Sequence, residues 1–119
     1  MTKTKAAAAA TLALICAGAV AAPTGAADPV RKRVKVADNF FSPKRFSVPV
    51  GSVIVWKWSR LNGETHDVFL SRKPKGVKRF QSAPAATDFT FKRKLRKAGT
   101  YRMICTFHEG MAMRVTVTR

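Results

Sequence analysis

Short runs in which apolar and polar residues alternate recur along this chain, and no span has the length and 3.6-residue period of a helix. Val34 and Val36 alternate with Arg33 and Lys35, and Phe46, Val48 and Val50 follow in the same rhythm. Phe89 and Phe91 alternate with Thr90 and Lys92, Tyr101, Met103 and Cys105 with Thr100, Arg102 and Ile104, and Val115 and Val117 with Arg114 and Thr116. A period of two puts one set of side chains into a core and the other into water, so each run reads as a half-buried strand. VIVWKW at residues 53–58 and HDVFL at 66–70 are rich in β-branched and aromatic residues and read as strands too. Gly51 with Ser52, RLNGET at 60–65 and Gly99 supply the turns, while residues 71–88 are basic, proline-containing and aperiodic, and read as an exposed connection. Roughly seven short strands without helix or repeat predict an all-β chain folded as an antiparallel β-sandwich, a single domain.

The N-terminus does not belong to that fold. Lys3 and Lys5 precede an apolar run from Ala6 to Val20, and small residues then lead to Ala27 and Asp28. This is the pattern of a signal peptide over residues 1–27, with Gly25 and Ala27 as the small residues before the cut, and Ala19 and Ala21 as the alternative pair. The run is shorter than the roughly 20 residues a membrane-spanning helix needs. Ile15 is bulky where a lipoprotein signal carries a small residue before its cysteine, so Cys16 is expected to be discarded with the leader. The mature chain, residues 28–119, is therefore expected to be exported to a periplasm or the extracellular space, with no transmembrane span, and to be a monomer.

Removing residues 1–27 leaves 92 of 119, enough for one modest core. It also leaves one cysteine, Cys105, so no internal disulfide can form. Small exported domains usually rely on disulfides, and a lone exported thiol oxidises unless something occupies it; a metal would. The leader carries two lysines and no acid, so the net charge changes only from +17 to +15. Such a field favours acidic partners, anionic surfaces or nucleic acid, keeps the molecule soluble, and says nothing about fold.

The thiol stands in CTFHEGM, residues 105–111, where Cys105, His108 and Met111 fall within seven positions between two predicted strands. A thiolate and an imidazole three residues apart on a tight loop can reach one ion, and Gly110 lets the backbone turn so that Met111 presents its sulfur. Soft sulfur donors with two imidazoles select copper in a trigonal electron-transfer site. The chain has one other histidine, His66, where a loop enters a strand, and same-end loops of a sandwich can bring it to Cys105.

DNFFSP at 38–43, VPVGSVIVWKW, THDVFL and GTYRMICTFHEGM together resemble the cupredoxins, the small blue copper proteins, and most closely their plastocyanin and amicyanin branch. The resemblance covers nearly the whole mature chain. It implies a Greek-key β-sandwich with one type 1 copper, cycling between Cu(II) and Cu(I), with His66, Cys105 and His108 as equatorial ligands and Met111 axial. The Cys-x-x-His-x-x-Met spacing is the amicyanin-like form; plastocyanin-like loops place the methionine where Met113 stands, which makes Met113 the alternative axial ligand. Asp67 occupies a position that is often asparagine in these proteins, Glu109 one that is often proline, and Trp58 one that is often polar.

The expected function is that of an exported one-electron carrier between redox partner proteins, with the basic clusters Arg72–Arg79 and Lys92–Lys97 docking an acidic partner and Phe107, Met111 and Met113 forming an apolar rim around His108. The alternative is an exported protein that buffers or delivers copper, and a distant third is a cationic module for anionic surfaces. Nucleic acid is not favoured, since no nucleic-acid motif is present and aromatics do not interleave with the basic clusters. An enzyme is not favoured either, because nucleophilic Cys–His pairs come from separate elements and here they share a loop with a methionine.

Overall fold

The computed structural model describes residues 27–119, so the expected signal segment, all but Ala27, lies outside the described residues. Eight strands follow in order: β1 (Arg31–Ala37), β2 (Phe40–Ser42), β3 (Arg45–Pro49), β4 (Ser52–Trp58), β5 (Phe69–Arg72), β6 (Thr90–Leu95), β7 (Gly99–Ile104) and β8 (Ala112–Thr118). They form two four-stranded sheets, β2-β1-β4-β6 and β3-β8-β7-β5. The sandwich is the expected all-β architecture. Within it β1 runs parallel to β4 and β3 parallel to β8, while the other neighbours are antiparallel. The parallel pairs arise because the chain crosses between the sheets from β2 to β3 and back to β4, the long return that a Greek key requires.

The two-residue rhythm sets what each strand buries. On β8 the side chains of Met113, Val115 and Val117 are buried and those of Arg114 and Thr118 exposed. Strand β4, flanked on both sides, buries Ile54, Trp56 and Trp58 and exposes Lys57. Val34, Val36, Ile54 and Trp56 of the first sheet meet Leu70, Tyr101, Met103 and Val115 of the second, all at most 1 % exposed. Trp56 also packs at 5.7 Å from Phe91 and 6.1 Å from Phe80, geometry that suits offset aromatic pairs.

Residues 71–88 are more than an exposed connection. Ser82 N–H donates to Val68 O and Ser82 Oγ accepts from Val68 N–H, both at 2.9 Å, and His66 exchanges backbone bonds with Ala85. Val77, Phe80 and Ala85 pack against the core. Beyond Arg72, where β5 ends, the segment has no apolar period because only scattered residues turn inward, and its backbone follows the edge of the site instead of a sheet ladder.

β6 runs antiparallel to β4 and turns at residues 96–98 into β7, so β4 and β7 point the same way and the β4–β5 and β7–β8 loops leave from one end of the sandwich, where His66 meets Cys105. At β7's start, Tyr101 is buried and its hydroxyl donates to Lys97 O at 2.7 Å. Burial pushes this phenol above its ordinary value of 10.0. The neutral form is the one the fold favours, so its contribution is complete below pH 10 and is lost as pH rises through the raised value. As the chain's one tyrosine, Tyr101 should give a tyrosinate absorbance midpoint above 10 in the native protein, and Tyr101→Phe should cost about 1 kcal/mol in urea unfolding at neutral pH.

Candidate metal centre

The β4–β5 loop carries His66 and Asp67, and the β7–β8 loop carries Cys105 to Met111. Cys105 Sγ lies 3.9 Å from His66 Nδ1 and 3.5 Å from His108 Nδ1, and the three donor atoms are all within 4.8 Å of one another. The two imidazole ring centroids are 4.8 Å apart, with the rings tilted by 46°. An ion bound at about 2.0 Å to nitrogen and 2.3 Å to sulfur, with angles of roughly 120°, separates the two atoms by about 3.7 Å, between the two observed values. The expected trio therefore fits one first-row ion. His66 is fully buried, Cys105 is a buried free thiol, and His108 keeps its outer edge toward solvent.

The loop holding Cys105 and His108 closes on itself. Cys105 N–H donates to Met111 O at 2.9 Å and Met111 N–H to His108 O at 3.3 Å. Gly110 sits at φ +83°, in the left-handed region where a side chain is strained, so glycine is what lets the loop turn back. Met111 is buried beneath the loop. Met113 is buried too, and its sulfur accepts the Trp56 indole N–H at 3.2 Å inside the core. Of the expected apolar rim, only Phe107 is exposed, at 52 %; Met111 and Met113 point inward because both fall on core positions of the alternation leading into β8.

Two carboxylates hold these loops in place. Asp67, 2 % exposed, accepts from Thr106 N–H at 2.7 Å, Thr106 Oγ1–H at 2.6 Å and Gln81 Nε2–H at 2.9 Å. It ties the His66 loop to the residue after Cys105 and to the 71–88 segment. A carboxylate suits this place because every group around it is a donor and both its oxygens accept. Asp38 faces the outer nitrogen of His66 at 2.8 Å and accepts Gly63 N–H at 2.8 Å and Glu64 N–H at 3.2 Å. The Gly63 bond first, and then the His66 ring, hold its carboxyl below the ordinary 3.8. With Nε2–H of His66 donating to Asp38, the lone pair of Nδ1 is left facing Cys105, the arrangement by which an outer carboxylate orients a ligating imidazole.

Glu64 Oε1 stands 2.5 Å from His108 Nε2, so the second imidazole is oriented in the same way, from the more exposed side. Trp58, for which the sequence offers no account, donates its indole N–H to His66 O at 3.2 Å and meets Phe89 edge to face at 4.8 Å. Asn62 Nδ2 bridges Val36 O and Ala86 O at 3.0 Å each, anchoring the loop between. Asp38, Glu64 and Asn62 escape sequence reasoning because their partners lie 24 to 44 residues away, and no local spacing signals such a bond.

Residues 30–118 match the family of copper-binding proteins described as plastocyanin/azurin. The chain belongs to that family. No curated protein sequence matches it. Among solved structures, the cupredoxin resembles a Cu-containing nitrite reductase from Thermus scotoductus (25 % identity, TM-score 0.63, 84 % of this chain and 25 % of that one). It also resembles a purple cupredoxin from Nitrosopumilus maritimus (24 %, TM-score 0.61, 73 % and 99 %) and an amicyanin from Paracoccus versutus (20 %, TM-score 0.63, 73 % and 80 %). The chain thus spans about a quarter of the nitrite reductase chain and most of the two small proteins.

Replacing Asp67 tests the loop tie directly. Asp67→Ala leaves the Thr106 N–H and hydroxyl without their acceptor and should cost about 2–3 kcal/mol in chemical unfolding of the metal-free protein, with Asp67→Asn losing less because one acceptor oxygen remains.

Proposed function

We propose that this cupredoxin is an exported one-electron carrier in which His66, Cys105 and His108 would hold one copper ion, with Met111 as the fourth donor. The observation that carries the reading is the meeting of two imidazole nitrogens and one thiol within 4.8 Å, in a chain of a copper-binding family. Bound copper supplies the Cu(II)/Cu(I) couple. Everything else is done by the polypeptide. Asp38 and Glu64 orient the two rings, and Asp67 holds the loops together, so the donors keep one arrangement and little reorganisation accompanies a change of charge. Met113 gives its sulfur to the Trp56 N–H, which favours Met111 as the axial donor.

His66 is sealed from water while the His108 ring is 22 % exposed beside Phe107, so His108 is the edge through which an electron passes to a partner. In this reading residues 1–27 are a cleaved signal peptide and residues 28–119 the mature monomer, working in a periplasm or outside the cell. No helix among the described residues is long and apolar enough to cross a membrane. The strongly basic surface favours redox partners with acidic docking groups. No substrate is transformed on the chain itself.

Optical and paramagnetic resonance spectra of the copper-loaded mature chain test this assignment. An intense blue charge-transfer band is expected, lost in Cys105→Ser. Met111→Leu should shift the spectrum and the reduction potential, and Met113→Leu should leave both nearly unchanged. Fast reversible exchange at an electrode is the carrier's signature; slow exchange with ready release of copper to a chelator would instead mark a delivery protein.

A further inference from the structure

The outer face of the β3-β8-β7-β5 sheet carries four arginines in register. Arg45 on β3 is paired with Arg114 on β8, Arg114 with Arg102 on β7, and Arg102 with Arg72 on β5. They therefore form one row across all four strands, spanning three strand spacings of about 4.8 Å, or roughly 14 Å. Arg45, Arg72 and Arg114 are exposed and Arg102 is half-buried. Like charges directly opposite one another on a sheet repel. Among the described residues, the acids that form ion pairs are Asp38 and Glu64, both on histidines of the metal centre, and no ion pair reaches this row. An unneutralised row of guanidinium groups is a cost to the fold that an anionic partner would remove.

The row lies beside the metal loop. Arg45, Arg102 and Arg114 line a hollow of about 300 Å³ with Gly110 and Met113, and Arg72, Arg102 and Arg114 line another of about 420 Å³. Arg102 is also a wall of a third hollow, about 440 Å³, where Phe69, Ile104, Phe107 and Ala112 surround His108, with the exposed carboxylate Glu109 also in its lining. An occupant of the row would thus run without a break onto an apolar shelf and then onto the exposed imidazole edge. The other basic cleft, around Lys78, Lys94 and Arg96, reaches Lys97 and Tyr101, at the end of the sandwich opposite His108.

We infer that the Arg45–Arg114–Arg102–Arg72 row is the docking track for an acidic segment of the redox partner, its carboxylates pairing with the guanidinium groups while apolar side chains cover the shelf next to His108. Guanidinium forks match carboxylates in two-bond geometry, and an apolar centre bordered by charge is the anatomy of a protein interface. A polyphosphate or nucleic-acid backbone would leave the shelf uncovered. The choice of a redox protein as the occupant rests on the carrier reading; the anion-binding row does not.

Polyglutamate, inorganic polyphosphate and phosphatidylglycerol vesicles are titrated against the copper-loaded mature chain at about 0.15 M salt, where distant surface charges are screened. Two row variants, Arg102→Gln with Arg114→Gln and Arg45→Gln with Arg72→Gln, are compared with Lys94→Gln plus Arg96→Gln, which removes the same charge elsewhere. Polyglutamate affinity should fall about tenfold or more in either row variant and by less than about twofold in the control. Thermal midpoints of the row variants should be unchanged or higher, since repulsion is relieved. Equal losses in all three variants, or row variants that melt lower or fail to fold, would overturn the inference. So would row-dependent binding that is tighter for polyphosphate or vesicles than for polyglutamate. The blue band is read on the same samples: a colourless wild type defeats the carrier reading alone, and an intact band with no row dependence defeats the docking track alone.

Discussion

The site depends on one contact between two loops, that of the Asp67 carboxylate with Thr106. Asp67 follows His66 directly and Thr106 follows Cys105 directly, so the bonds at 2.7 and 2.6 Å join the two chain segments at the residues next to the donors. Charge-assisted bonds of this length are short and strongly directional. Through them the distance from His66 Nδ1 to Cys105 Sγ is set by the sheets beneath, since β4 and β7 each deliver a loop to the same end of the sandwich. Gln81 extends the tie to the 71–88 segment, which closes the flank of His66 through the Ala85 bridge.

Charge is placed on this molecule with a clear division of labour. The chain has six acids against 23 lysines and arginines, and three of the acids, Asp38, Glu64 and Asp67, bond to histidines or loop backbone at the metal centre. Acceptors are concentrated where donors must be oriented, and the remaining surface is left cationic. This gives the metal end a local environment unlike the rest of the protein, with negative groups around the imidazoles and guanidinium groups beginning three residues from either end of the Cys105–Met111 loop, at Arg102 and Arg114. Such an arrangement favours approach of an acidic surface from the side of the β3-β8-β7-β5 sheet.

Much of the fold was legible in the alternation. The runs around Val34, Tyr101 and Val115 bury the expected side chains, because a period of two admits one face to a core whatever the partner strand, whereas of Phe46, Val48 and Val50 only Val48 is fully buried and Val50 lies past the end of β3. The three residues Phe40–Ser42 of β2 are too short to show a period. The strand expected at residues 66–70 begins instead at Phe69. His66 holds an isolated bridge to Ala85, so the first part of that run is committed to the site and not to the sheet. Residues 71–88 are largely exposed, as expected, with Ser82 alone fully buried, and what order they have comes from single bonds to Val68, Asp67 and His66, which leave no rhythm in the sequence.

The sequence by itself determined that the chain is all-β and that the Cys105 thiol shares a seven-residue loop with an imidazole and a thioether. Those are local properties, written in spacing and residue type. Only the tertiary structure decided which methionine sulfur is already taken, which carboxylates orient the rings, and that four arginines scattered from residue 45 to 114 stand side by side. The physical reason is that strand register, fixed by the whole sandwich, sets which distant side chains become neighbours, and no local pattern in the chain encodes it.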